Sequence, residues 1–266
     1  IMCTFYQPFW GEMIKKDSLP AKGTIDGTVQ LRNLTRDLAF SSDLKVSQLE
    51  LYGNPVGDLT AKVGSKNTSL IDVDVALNGN TNEAKLTGTY TTKTSDFNMN
   101  LDIGRLEMKS VQGFSMNQIV NAEGFLSGNL KITGKTDAPS ILGNIQFNDV
   151  GMMIAKTGSD FRKISDQIDF TANGIEFNRF NLKDASGNAM VINGNIATKT
   201  YRDFAFNLNI RARDFMVVNS EPSSEAMMYG KLAVNANLAI RGDLDLPKVD
   251  GKIEVTDKTD FTFVMP

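Results

Sequence analysis

The sequence predicts an all-β protein, built as an antiparallel, repeating sheet with two or three short helices. Apolar and polar residues alternate through most of its 266 residues, which is the two-residue period of a strand with one buried side. Stretches rich in Asn, Gly, Ser and Thr separate the alternating segments, as turns do in a β-meander. A third observation is that one long segment returns later in the chain.

This recurrence relates residues 124–149 to residues 229–257. The matched positions in the first copy are Asn129, Leu130, Ile132, Gly134, Asp137, Pro139, Gly143, Ile145 and Asp149. They correspond to Asn237, Leu238, Ile240, Gly242, Asp245, Pro247, Gly251, Ile253 and Asp257. A fainter copy lies at residues 23–31. Repetition at a long period is typical of an array of stacked units.

The elements follow from the same pattern, taken in chain order. Residues 4–16 are aromatic and then basic, and we expect a short helix from about Phe9. Alternation then predicts successive strands from Gly23 to Arg105. Residues 109–122 do not alternate, and within them Met116, Ile119 and Val120 predict one short helix with Ser115 as its cap.

Strands resume after residue 149. A change of parity after Phe177 predicts a β-bulge near Arg179. Residues 191–198 and 203–213 alternate cleanly, and a helical turn is expected at residues 224–228. We divide the chain into a capping segment (1–22), a first β-groove module (23–122), a second (123–228) and the start of a third (229–266). All belong to one continuous elongated domain, which we take to be a piece of a longer protein.

Composition excludes several classes of function. The chain has 28 Lys and Arg against 31 Asp and Glu, a net charge of −3, so it lacks the basic footprint of a nucleic-acid-binding protein. It has no histidine and a single cysteine, Cys3, so the usual catalytic triads, thiolate metal sites and intrachain disulfides are excluded. We expect the carboxylate pairs Asp72/Asp74 and Asp243/Asp245 to lie on the solvent-exposed surface, on an outer strand face or in a turn. We predict no enzymatic activity and no cofactor or metal.

Glycine recurs on the apolar side of the predicted strands. The positions are Gly27, Gly88, Gly128, Gly143, Gly194 and Gly251. A densely packed sandwich would favour large side chains there. Glycine instead favours bent strands or close backbone approach. Two interpretations stay open: relief of crowding at bends, or an open, apolar trough.

The units GFLSGNLKITGKTDAPSILGNIQF and YGKLAVNANLAIRGDLDLPKVDGKIEV, followed by the ending DKTDFTFVMP, resemble the TamB/AsmA-like family of envelope proteins. The resemblance implies a curled, U-shaped sheet, or β-taco, with an apolar interior. It also implies a periplasmic location in a Gram-negative bacterium and an inner-membrane tether outside this chain. The implied partners are phospholipids or other acyl-chain ligands and a BamA-family outer-membrane protein related to TamA.

We therefore predict a groove that shields acyl chains and conducts phospholipids between the membranes, with a role in outer-membrane protein assembly. The expected lining residues are Val73, Val75, Leu101, Ile103, Leu130, Ile132, Ile145, Phe147, Phe206, Leu208, Ile210, Leu238, Ile240 and Ile253. The alternative is a scaffold without lipid, which docks a BamA-family partner by pairing strand edges. An adhesin-like solenoid and a transmembrane barrel fit the pattern poorly.

Overall fold

The structure, a computed structural model, describes residues 2–8, 21–32, 39–65, 69–222 and 228–264. These residues form seventeen strands and one helix, and the strands belong to one sheet. The strands are β1 (Met2–Pro8), β2 (Ala21–Arg32), β3 (Ala39–Leu51), β4 (Asn54–Ser65), β5 (Leu70–Gly79), β6 (Asn82–Thr91), β7 (Asp96–Glu107), β8 (Ile119–Lys135), β9 (Ala138–Ile154), β10 (Ser159–Ile164), β11 (Gln167–Thr171), β12 (Gly174–Asp184), β13 (Ala189–Ala197), β14 (Ala205–Ser220), β15 (Met228–Asp243), β16 (Lys248–Val255) and β17 (Asp260–Phe263). The helix is α1 (Met108–Phe114).

The predicted all-β, antiparallel fold class is confirmed. The helices expected from Phe9 and at residues 224–228 fall largely outside the described residues. Tertiary contacts divide the chain into unit 1 (residues 1–116 and 127–143) and unit 2 (residues 117–126 and 144–266). The module boundaries and the sequence repeat stay predictions.

Unit 1 contains an antiparallel meander from β1 to β7. Each strand pairs antiparallel with the next. The β5–β6 turn places Asn80 and Thr81 at φ 47° and 65°, the left-handed conformations that a two-residue hairpin turn uses. Local connections of this kind fix the register of neighbouring strands, because a slip of one residue would exchange their two faces.

The single described helix differs from its predicted position. It covers residues 108–114, with Ser115 at its C-cap, whereas the sequence predicted a helix that begins after Ser115 and contains Met116, Ile119 and Val120. The helix ends early because Met116 and Asn117 adopt φ of 52° and 65°, which an α-helix does not accommodate. Ile119 and Val120 consequently begin strand β8.

Unit 2 contains the antiparallel series from β12 to β16, with β17 also paired to β15. The predicted bulge near Arg179 is confirmed. The register of β12 against β13 shifts between Phe177 and Phe180, and Arg179 lies at φ 55°. The N–H of Arg179 donates to Asn193 Oδ1 at 3.2 Å, so the bulge keeps its backbone group hydrogen-bonded.

Unit 2 has fully buried apolar residues on β9, β10, β14 and β15. Val150, Ile164 and Ala233 are 0% exposed and Phe215 is 1% exposed. The ring of Phe161 stacks on that of Phe215 with centroids 6.2 Å apart. Ser159 Oγ donates to the carbonyl of Val217 at 2.6 Å. This packing against β14 closes one part of the apolar surface of the unit.

Candidate functional site: the apolar sheet faces

The meander of unit 1 carries a continuous apolar face. Residues that lie directly opposite each other in an antiparallel sheet point to the same side. Val75 lies opposite Ala61 on one neighbour and opposite Leu86 on the other. Two apolar rows cross the strands in this way: Leu44, Ala61, Val75, Leu86 and Leu101, then Val46, Leu59, Leu77, Ala84 and Ile103. We call these rows the unit 1 apolar face.

The opposite face of the same strands is charged. Lys45 Nζ lies 3.4 Å from Asp58 Oδ2, and Lys62 Nζ lies 3.7 Å from Asp43 Oδ2. Lys85 Nζ lies 3.2 Å from Asp74 Oδ2. Exposed ion pairs of this kind each contribute at most about 1 kcal/mol. Their charges favour hydration of this face, so the sheet of unit 1 has one charged, solvent-facing side and one apolar side.

Unit 2 presents a second apolar face. Ile210 lies opposite Ile192 and Leu238, and Leu208 lies opposite Gly194 and Ile240. Phe180 of β12 lies opposite Ile192 of β13. Its ring contacts the ring of Phe147 edge-on, with centroids 5.2 Å apart. We call this set the unit 2 apolar face: Phe147, Phe180, Ile192, Phe206, Leu208, Ile210, Leu238 and Ile240.

The reverse side of β13–β15 is polar. Asn207 Nδ2 lies 3.2 Å from Asn195 Oδ1, and the guanidinium of Arg241 donates to Asn209 Oδ1 at 3.1 Å. Arg241 also donates to the carbonyl of Leu208 at 2.6 Å. These hydrogen bonds connect neighbouring strands on the polar side, whereas the apolar side is stabilised by hydrophobic contacts.

The structure places most of the predicted lining residues at intermediate exposure. Ile103 and Leu208 are buried, at 7% and 8% exposed, whereas Ile253 is 58% exposed. The other eleven are half-buried: Val73, Val75, Leu101, Leu130, Ile132, Ile145, Phe147, Phe206, Ile210, Leu238 and Ile240. A sealed core would bury nearly all of them. Their role as a lining stays a prediction.

The predicted glycines lie where neighbouring strands approach closely. Gly143, Gly194 and Gly251 adopt φ of 133°, 124° and 138°. A Cβ atom there would lie 3.1 Å from Leu130 Cα, 3.2 Å from Leu208 Cα and 3.0 Å from Leu238 Cα. It would also overlap the carbonyl oxygens of the preceding residues, Asn129, Asn207 and Asn237. Gly88 and Gly128, at φ 155° and 146°, share the left-handed region; Gly27 approaches Leu44 Cα at 3.1 Å.

These three close approaches share a sequence signal. The residue facing each of Gly143, Gly194 and Gly251 is the leucine of an Asn-Leu dipeptide. The sequence repeat includes the pairs 129–130 and 237–238, whereas the pair 207–208 lies outside it. Glycine in one strand opposite a large residue in the next lets the two backbones approach and the strand bend locally.

Sequence reasoning missed two buried polar residues. Asn82, 4% exposed, donates to the carbonyl of Val56 at 2.7 Å and to Ser110 Oγ at 2.8 Å. Asp184, 2% exposed, accepts hydrogen bonds from the N–H groups of Ser186, Asn188 and Met216. Both positions look like ordinary turn residues in the sequence, so only their tertiary partners distinguish them.

Two negative findings apply to the described part of the chain. Its Asp, Glu and Cys residues form no group of three or more that could hold a metal ion. Among the same residues, no helix is long and apolar enough to cross a membrane.

The strand pairing and the two faces define a class: an all-β protein whose antiparallel sheet is polar on one side and apolar on the other. Residues 178–266 match the family model of the TamB C-terminal domain. This match, over the C-terminal part of the chain, confirms the resemblance to a TamB-like family that was drawn from the sequence. No curated protein and no solved structure matches the chain.

Proposed function

We propose that this chain is an apolar β-groove of the periplasm that shields acyl chains and conducts phospholipids between the inner and outer membranes. The observation that carries the proposal is the half-exposed apolar face found in each unit. In unit 1, Val75 and Leu101 lie on a face whose reverse carries three ion pairs. A surface of this type favours contact with hydrocarbon on one side only.

The energetic argument needs no specific polar site. Exposing one methylene to water costs about 0.8 kcal/mol, so an acyl chain of about sixteen carbons costs roughly 13 kcal/mol. A row of aliphatic side chains removes much of that cost, because hydrophobic contact is not directional. The lining can therefore vary in sequence as long as it stays apolar.

The glycines support the predicted curl of the sheet. Gly88 in unit 1 and Gly194 in unit 2 both adopt φ values outside the ordinary strand region. Curvature in β-sheets is introduced by such glycine positions and by bulges. A curled sheet would present its apolar side as a concave trough, which is the form the resemblance implies.

The resemblance extends the proposal to location and partners. We place the chain in the periplasm of a Gram-negative bacterium, tethered to the inner membrane by a segment outside this chain. Its proposed partners are phospholipids and a BamA-family, TamA-like outer-membrane protein, which connects lipid carriage to outer-membrane protein assembly. No catalysis and no cofactor form part of this function.

Two matched pairs of variants test the groove. Val75→Asp places a carboxylate on the unit 1 apolar face, and Ala76→Asp places the same group on the reverse of the same strand. Ile240→Asp and Ala239→Asp form the corresponding pair in unit 2. The readout is labelling by a phospholipid that carries a photoreactive diazirine in its acyl chain. Circular dichroism checks that each variant keeps its β-structure.

We expect Val75→Asp and Ile240→Asp to lose most of the labelling, while Ala76→Asp and Ala239→Asp keep it. Equal labelling of all four folded variants would overturn the groove proposal. Mass spectrometry of organic extracts from the purified wild-type chain provides an independent check, with phospholipid as the expected finding.

The second candidate function is a scaffold that docks its partner by strand pairing. The observation that favours it is the exposure of all eight residues of β16. A pull-down of the BamA-family partner that fails with proline substitutions in β16, and is insensitive to Val75→Asp, would support the scaffold instead of the groove.

A further inference from the structure

A cavity lies at one end of unit 2, between the β13–β14 turn (residues 198–204) and the β15–β16 turn (residues 244–247). Its volume is about 580 Å³, within the range of roughly 300–1,000 Å³ that small-molecule sites occupy. Its lining residues belong to β13, β14, β15 and these two turns, and none belongs to β16. Each turn joins two strands that pair with each other, so both walls of the cavity are anchored in the sheet.

Hydrogen bonds fix the first of these turns. Thr198 is 7% exposed, and its Oγ1 accepts a hydrogen bond from the N–H of Tyr201 at 2.9 Å. Thr200 Oγ1 accepts a hydrogen bond from the N–H of Asp203 at 3.4 Å and donates to Asp203 Oδ2 at 3.2 Å. This wall of the cavity is therefore preorganised.

The cavity lies where the unit 2 apolar face reaches the end of its strands. The N–H of Leu244 donates to the carbonyl of Phe204 at 2.9 Å. This contact continues the β14–β15 ladder, in which Ala205 lies opposite Asp243. By the two-residue period of a strand, Phe204 lies on the same side as Phe206, whereas Asp243 lies on the polar side. The cavity therefore has an apolar wall and a charged wall.

The same apolar face is sealed at the other end of these strands. Phe215 lies opposite Val234, and the two residues are 1% and 7% exposed. The N–H of Asn219 donates to the carbonyl of Thr157 at 2.9 Å, which attaches the β9–β10 turn to the end of β14. Ile240, on the same side of β15 as Val234, is half-buried. Exposure on this face therefore rises towards the cavity, so an elongated apolar ligand would have its polar end there.

The cavity also brings together side chains of both charges. Those that make no ion pair in the described part of the chain are Lys199, Arg202, Asp243 and Asp245. All four are exposed. A phosphate binds Lys and Arg through charge-assisted hydrogen bonds, and a primary ammonium group donates to carboxylates in the same way. Two unpaired cations and two unpaired carboxylates around one cavity therefore match a zwitterionic ligand.

We propose that this cavity binds the phosphoethanolamine headgroup of a phospholipid. Lys199 and Arg202 bind its phosphate. Asp243 and Asp245 accept hydrogen bonds from its ammonium group. The glycerol end of the acyl chains lies against Phe204, and the chains extend along the unit 2 apolar face towards its sealed end. This inference rests on the proposed lipid-carrying function, to which it adds a headgroup preference and an orientation of the lipid.

The charges disfavour two other headgroups that also contain a phosphate. The quaternary ammonium of phosphatidylcholine has no N–H to donate to Asp243 or Asp245. Phosphatidylglycerol carries no cation, and the same two carboxylates repel its negative charge. Because the charged side chains are exposed, each contact is weak, and we expect a preference of about three- to fivefold.

Photolabelling of the purified chain measures this preference. The probes are three phospholipids that share one diazirine-bearing acyl chain and differ in their headgroup, which is ethanolamine, glycerol or choline. Each is presented in vesicles of otherwise identical composition. We expect the ethanolamine lipid to label the wild-type chain about three- to fivefold more than either of the other two.

Two double variants separate the roles of the charges. Asp243→Asn/Asp245→Asn should lower labelling by the ethanolamine lipid about threefold without lowering labelling by the other two, because only this lipid has an ammonium group that can donate. Lys199→Gln/Arg202→Gln should lower labelling by all three lipids about two- to threefold, because all three contain the phosphate.

Matched controls remove the same charges at exposed positions of unit 1. They are Asp26→Asn/Asp102→Asn and Lys93→Gln/Lys131→Gln. Both should leave the headgroup preference within about 1.5-fold of wild type, because distant exposed charges are screened by salt. Circular dichroism checks that every variant keeps its β-structure.

The position of the label tests the orientation. A diazirine close to the glycerol end of the acyl chain should label the peptide that contains Phe204. A diazirine at the methyl end should label peptides nearer to Phe215 and Val234. Mass spectrometry of the digested, labelled chain distinguishes them, and the same peptide pattern from both probes contradicts the proposed orientation.

Equal labelling by the three headgroups overturns the headgroup site and leaves the groove proposal standing. A preference for the ethanolamine lipid that Asp243→Asn/Asp245→Asn does not reduce also overturns it, as does a preference for the glycerol lipid. If none of the three lipids labels the wild-type chain, the groove proposal is wrong, and this site is wrong with it.

Discussion

Gly194 lies directly opposite Leu208 in the β13–β14 pair, and a Cβ atom added at Gly194 would lie 3.2 Å from the Cα of that leucine. The same close approach occurs where Gly143 meets Leu130 and where Gly251 meets Leu238. In each case the glycine has no side chain, so a leucine of the neighbouring strand can pack directly against its backbone. The same glycine–leucine contact therefore allows close backbone approach in three strand pairs.

The first prediction concerns that contact. Gly194→Ala must accommodate a methyl group at φ 124°, where it also overlaps the carbonyl of Asn207. We expect a loss of about 2 kcal/mol or more in the free energy of unfolding, because backbone strain and steric overlap add. Urea denaturation followed by circular dichroism measures it.

The matched control is Gly104→Ala. A Cβ there meets only the flexible side chain of Glu83, at 3.3 Å. The change should alter the free energy of unfolding by less than about 0.5 kcal/mol. Equal effects of the two substitutions would show that close strand approach at Gly194 is not a structural requirement.

The second prediction concerns the start of α1. Asn82 Oδ1 accepts a hydrogen bond from the N–H of Glu107 at 2.7 Å, and its amide donates to Ser110 Oγ at 2.8 Å. Ser110 is itself 0% exposed. Asn82→Leu leaves the N–H of Glu107 without this acceptor and removes the donor to Ser110 Oγ, which still donates to the carbonyl of Pro55. We expect a loss of about 2 kcal/mol in the free energy of unfolding, because a buried donor is left unsatisfied. Thermal denaturation is the measurement.

Asn82→Asp distinguishes the two halves of this network. Asn82→Asp keeps an acceptor for the N–H of Glu107 but removes the amide donor to Ser110 and Val56. We therefore expect it also to lower the free energy of unfolding. Asn100→Ala, at an exposed position of β7, should be nearly neutral. A neutral Asn82→Leu would show that α1 is held by its apolar contacts alone.

The third prediction is a pH dependence. The backbone N–H of Gln48, 2.9 Å from Asp58 Oδ1, lowers the pKa of Asp58 below its ordinary value of 3.8, and Lys45 lowers it further. A lowered pKa stabilises the fold above the unfolded-state value, and this contribution is lost as the pH falls through the folded-state pKa. The side chain is 42% exposed, so we expect only a few tenths of a kcal/mol.

Urea midpoints of wild type and Asp58→Asn should therefore differ at pH 6 and converge below about pH 3.8. Lys45→Met should retain most of the difference, because the Gln48 N–H is the larger cause. A difference between wild type and Asp58→Asn that is constant from pH 6 to pH 2.5 would contradict this assignment.

The sequence by itself determined the fold class, the alternating faces and the bulge near Arg179. These features depend on residues close together in the chain, and a two-residue period places each side chain on a face without knowledge of the rest. The match of residues 178–266 to the TamB C-terminal domain agrees with the family indicated by the two repeated units and the ending of the sequence. The limits of local pattern appear at α1, whose end depends on the left-handed conformations of Met116 and Asn117.

Only the tertiary structure decided which residues lie side by side across the strands and how much water each one contacts. Ile103 and Ile253 have the same side chain and were predicted for the same role, yet they are 7% and 58% exposed. Exposure depends on what packs above a strand, and that is set by contacts far apart in the chain. The buried partners of Asn82 and Asp184 are non-local for the same reason: side chains 28 residues apart and a backbone group 32 residues apart meet only after folding.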